Sequence, residues 1–85
     1  MKKLKLSNHF LTYSLKERDY LTIEMCENVV NFPIDYEIQN DGRIRLWGFI
    51  SEHNKYLRVV LENDGETILT AHFDRNFKKN MELKI

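Results

Sequence analysis

The chain has 85 residues, 42% of them apolar, with one proline and three glycines, and its thirteen Lys and Arg balance thirteen Asp and Glu. That length supports a single domain, residues 1–85 with a core over about 4–77, and a small buried interior. It excludes collagen-like, disordered and disulfide-scaffold classes. A neutral total excludes global electrostatic attraction to nucleic acid and leaves only local clusters of cations for that purpose.

No apolar run approaches the roughly 20 residues of a membrane span. The opening MKKLKLSN is basic but has no apolar stretch behind it, so it does not read as a secretion signal. Cys26 is the only cysteine. A lone thiol in a helical context reads as core packing in a reducing compartment, and the expected location is cytoplasmic.

In chain order, residues 3–7 alternate with Leu4 and Leu6 on one side, the pattern of a short edge strand protected by its lysines. Ser7 or Asn8 can cap a helix over 9–18 whose inner face is Phe10, Leu11 and Leu15. Thr22 can cap a second helix with Glu24 in its first turn and Ile23, Cys26, Val29 and Val30 inward, ended by Pro33. Residues 34–38 then alternate as a half-buried strand.

The glycine turns of Asn40-Asp41-Gly42 and Asn63-Asp64-Gly65 join strands 34–38, 43–50, 56–62 and 67–73 into a meander. A three-residue loop at the first turn pairs Ile38 with Ile44, Tyr36 with Leu46, and Glu37 with Arg45. The same length at the second pairs Val59 with Leu69, Leu57 with Ala71, Val60 with Ile68, Arg58 with Thr70 and Tyr56 with His72. DRNFKKN after Phe73 reads as a turn, and Met81, Leu83 and Ile85 alternate as a last short strand or a loose end. The expected class is α+β: two N-terminal helices on one face of a mostly antiparallel four-stranded meander, with a possible short N-terminal edge strand.

Period two leaves Arg43, Arg45, Trp47, Phe49, Tyr56, Arg58, Val60, Ile68, Thr70 and His72 on the face without helices. Cations, rings and one imidazole together suit RNA, with arginine for phosphate and aromatic rings for bases. They also suit a protein partner, since Trp, Tyr and Arg anchor interfaces. Metal-free RNA cleavage needs a base, a cation for the phosphorane and an acid. His72, Arg58, Arg45 and Tyr56 are the catalytic candidates, and Trp47, Thr70, Arg75, Arg43 and Lys78 the substrate-binding ones. Plainer roles stand beside these: an Arg45–Glu37 ion pair, a Tyr56–His72 stack and packing by Trp47. His9 and His53, in a helix start and a loop, are not assigned a role. One cysteine and three scattered histidines give no metal spacing, the single glycines no phosphate loop, and no cofactor is expected.

The segments LKERDYLTIEMCENVVNFP, QNDGRIRLWGFI and KYLRVVLENDGETILTAHFDRNF, spanning about 10–77, resemble small bacterial proteins near the RelE-like and barnase–colicin-like RNase toxin superfamily. The resemblance implies a helix–helix–meander fold with the active set on the sheet face away from the helices, and it singles out Arg45, Arg58, Thr70, His72 and Arg75. It also implies an RNA-binding or RNA-cleaving toxin masked by an antitoxin. The alternative is a non-enzymatic module that binds another protein, or a second copy of itself, through Trp47, Phe49 and Tyr56.

Overall fold

The computed structural model describes residues 4–17 and 20–77; Lys78, the alternating 81–85 segment and the ends of two expected elements (Lys3, Arg18) lie outside the described residues. The class is α+β, with short helices and a five-stranded mixed sheet. Strand β1 is Lys5–Leu6, followed by a π-helical turn, Phe10–Ser14, that runs into an α-helical one, Leu15–Glu17 (together α1). Helix α2 is Ile23–Asn31, and strands β2 (Asp35–Ile38), β3 (Ile44–Ile50), β4 (Lys55–Leu61) and β5 (Thr67–Phe73) follow. No helix among the described residues is long and apolar enough to cross a membrane.

The sheet order is β1-β5-β4-β3-β2. Strands β2 to β5 form the antiparallel meander, while β1 joins β5 in parallel through Lys5–Thr67 and Leu6–Ile68, which makes the sheet mixed. The first hairpin has the expected three-residue loop, with Gly42 at φ 90° and Ile38–Ile44, Tyr36–Leu46 and Glu37–Arg45 in register.

The second hairpin departs from expectation twice. Asp64 accepts from the Glu66 and Thr67 amides at 2.9 Å and from the Thr67 hydroxyl at 2.6 Å. That draws Glu66 into the loop, and Glu62 pairs with Thr67 instead. A bulge between Val60 and Leu61 then leaves Leu69 without a β4 partner. The observed pairs are Leu57–Phe73, Arg58–His72, Val59–Ala71, Val60–Thr70 and Leu61–Ile68, so the Tyr56–His72, Arg58–Thr70, Val60–Ile68, Leu57–Ala71 and Val59–Leu69 pairings are corrected.

The helices also differ from simple periodicity. Ser7 Oγ accepts from the Phe10 amide at 3.0 Å, a capping contact, and the wider π turn then places Phe10 and Ser14 inward and leaves Leu11 exposed. Ser14 is satisfied by Thr70, hydroxyl to hydroxyl at 3.1 Å. Thr22 caps α2 through the Met25 amide at 3.1 Å, and Cys26 and Val29 are buried while Ile23 is exposed. Helix α2 lies over β3 and β4. Its approach is close because Gly48 presents no side chain: a Cβ there would stand 2.8 Å from Val29 Cγ2. Phe10, Cys26, Leu46, Leu57, Val59, Ile68 and Ala71 lie in the core between helices and sheet.

Candidate functional site

On the face away from α2, Trp47, Arg58 and His72 stand in one row across β3, β4 and β5. Asp74 extends that row's chemistry: its amide donates to Tyr56 O at 2.9 Å, continuing the β5 pairing one step, and position 74 shares the face of 70 and 72. Arg58 Nη2 lies 2.6 Å from His72 Nε2, and its Nη1 lies 3.8 Å from Asp74 Oδ2. Trp47 Nε1 donates to the same Asp74 oxygen at 3.0 Å. Because a guanidinium only donates, His72 Nε2 accepts, which assigns the imidazole proton to Nδ1. Arg58 Nε is buried without a hydrogen-bond partner among the described residues.

Asp74 both anchors the row electrostatically and caps the turn at 75–77. Partial burial pushes its carboxyl up, but the Trp47 indole, the Phe77 amide, the Arg58 guanidinium and the Asn76 amide together pull it below the usual range. Its other oxygen accepts from the Phe77 amide at 3.2 Å and starts that helical turn. The turn lays Phe77 on Trp47, stacked at 4.9 Å and 13°, with Tyr56 edge-on to Phe77 at 5.3 Å and to Phe49 at 5.2 Å. Trp47 is consequently 8% exposed. It is a packed residue here, the plainer of the roles read for it from the sequence.

The other expected site residues divide. Arg75 is exposed and borders a cleft of about 220 Å³ with Asn54, Lys55, Tyr56, Phe73 and Asp74, beside the next cross-strand row, where Tyr56 meets Asp74. Tyr56 thus joins the two regions, though it faces Phe49 rather than His72. Arg45 sits opposite Val60 and is taken by Glu37 at 3.2 Å; with its amide turned so that the oxygen faces the guanidinium, Gln39 accepts from Arg45 at 2.6 and 2.7 Å as well. Arg43 is held at the hairpin end by Glu62 at 2.9 Å and Asp41 at 3.6 Å. Thr70 is bonded to Ser14. Ile68, expected on this face, is in the core instead. His9 packs on Tyr13, and His53 on Tyr20 and Phe73.

The structure therefore brings His72, Arg58, Tyr56 and Arg75 into one neighbourhood and leaves Arg45, Arg43 and Thr70 out of it. Asp74 and Phe77 are the residues that sequence reading missed. The alternation Thr70, His72, Asp74 carried one step past the strand end was the available signal. No group of three potential metal ligands occurs among the described residues. Compared with family models, curated proteins and solved structures, the chain finds no match in any of the three.

Proposed function

We propose that the protein is a RelE-like toxin that binds and cleaves RNA without a metal ion, using the face that carries Arg58, His72 and Asp74. The observation that carries this reading is the 2.6 Å approach of Arg58 to His72, with Asp74 behind the guanidinium and Tyr56 and Arg75 on the adjoining cleft. An incoming phosphate competes for Arg58, whose planar fork suits two phosphate oxygens. Its departure from His72 frees Nε2 to take the proton of the 2′-hydroxyl. The 2′-oxygen then bonds to phosphorus, the bond from phosphorus to the 5′-oxygen breaks, and that oxygen takes a proton from the Tyr56 hydroxyl. The products are a 2′,3′-cyclic phosphate and a free 5′-hydroxyl, with Arg58 bearing the charge of the pentavalent state. His72 afterwards returns its proton to the Tyr56 phenolate through solvent. In cells such an activity calls for an antitoxin covering the same face.

The test uses the purified chain, a single-stranded RNA and excess EDTA, with His72→Ala and Arg58→Ala beside the wild type and circular dichroism to establish folding. Loss of a proton-transfer group predicts a rate about a hundredfold lower or less, and induced expression should arrest growth only for the wild type. Cleavage undiminished in folded His72→Ala, or a folded wild type that neither cleaves nor retains RNA, refutes the reading.

A further inference from the structure

The two edges of the sheet are unlike. Edge β1 is two residues long, and its Lys5 pairs with Glu66 at 3.5 Å. Edge β2 carries Phe32, Ile34, Tyr36 and Ile38, before and along the strand, at 67, 50, 63 and 64% exposure. Tyr36 and Ile38 share the face of their partners Leu46 and Ile44, so this stripe prolongs the core face past the cover of α2. The Gln39 amide donates to Arg43 O across the ladder. The alternation from that pair turns the backbone groups of Tyr36 and Ile38 away from β3, toward open solvent. The Tyr36 amide is met by the neighbouring Asp35 carboxylate at 2.8 Å, a local contact that an incoming carbonyl can displace.

Two considerations decide what fits there. The four side chains offer on the order of 450 Å², about half of what each partner of a stable complex buries, so main-chain pairing must supply the rest. A second copy is disfavoured by charge. Antiparallel self-pairing of β2 centred on Tyr36 sets Asp35 opposite Glu37, and centred on Glu37 sets that residue opposite itself, while the register centred on Ile38 pairs only that residue within the strand.

We infer that β2 accepts an extended polypeptide segment as a sixth strand, with apolar side chains over Tyr36 and Ile38 alternating with Lys or Arg beside Asp35 and Glu37. This surface lies two strands from Arg58 and stands independently of the RNA reading. Strand addition of this kind draws affinity from the backbone and selectivity from the alternate side chains.

The probes are two labelled eight-residue peptides, one alternating Val and Lys and one alternating Val and Glu, titrated into the full chain by fluorescence anisotropy. Amide shifts and hydrogen exchange are then read by NMR. The Val/Lys peptide should bind at least about tenfold more tightly than the Val/Glu peptide. It should slow exchange at the Ile38 amide and lose about tenfold in affinity against Ile38→Thr, an exposed position where threonine keeps strand propensity. Equal affinity for both peptides, no binding, or shifts centred away from β2 overturns the inference. So does a sedimentation profile showing a dimer that Ile38→Thr dissociates, which would make the occupant a second copy.

Discussion

Gly48→Ala tests the packing of α2 against the sheet. The new methyl meets Val29 Cγ2 at 2.8 Å, well inside contact distance, and Val29 Cα and Cβ at 3.4 Å, which is tolerable. Gly48 is not among the positive-φ glycines, so alanine carries no backbone penalty there. Removing chain freedom from the unfolded state stabilises by about 0.4–1 kcal/mol, while overpacking a filled site costs about 1–3 kcal/mol. The expected sum is a loss of about 1–2 kcal/mol. Val29→Ala alone removes two buried methyl groups at about 0.8 kcal/mol each before any cavity term. In that background the clashing atom is gone, and Gly48→Ala should become neutral or stabilising by up to about 1 kcal/mol. Urea melts of the four proteins measure this cycle, and a coupling of about 2 kcal/mol is the expected result. The same loss for Gly48→Ala in both backgrounds would refute the idea that Val29 sets the constraint.

Other consequences are equally accessible. Burial first, and Glu27 second, push the Cys26 thiol up to about 12, so a disulfide reagent at pH 8 should label it only on unfolding, with labelling rates that track denaturant. The Thr67 hydroxyl, then the Glu66 and Thr67 amides, hold the Asp64 carboxyl down at about 2. Its folded value lies below its unfolded one, so its contribution is in place above about pH 4 and is lost as pH falls through 2. Thr67→Ala should raise the Asp64 titration midpoint seen by NMR. Thr22→Ala should cost about 1 kcal/mol by removing the α2 cap.

Much of the fold was legible because strand alternation is insensitive to certain errors. The second hairpin has one more loop residue than expected and one bulge. Two single-residue shifts restore parity, so Ala71 and Phe73 still face the core and Thr70 and His72 still face away. Between the two shifts parity is reversed, and there Ile68 takes the core position expected of Leu69. Asp64's three contacts caused the first shift, and turn composition alone does not distinguish a loop that stops at Gly65 from one that includes Glu66. The pairing of His72 with Arg58, on which the candidate site depends, was invisible for that reason. The exposure of Tyr36 and Ile38 was missed for another: alternation assigns a face, but it does not say how far the covering helix reaches.

The stack of Phe77 on Trp47 has a practical consequence. Trp47 is the only tryptophan in the chain. Its indole nitrogen is bonded to the carboxylate that also faces Arg58, and its ring lies under the turn that closes the face. The molecule thus contains an intrinsic optical reporter at the place where a ligand of Arg58 would arrive. Its emission can be followed without label or substitution, at micromolar concentration and in real time, whatever that ligand proves to be.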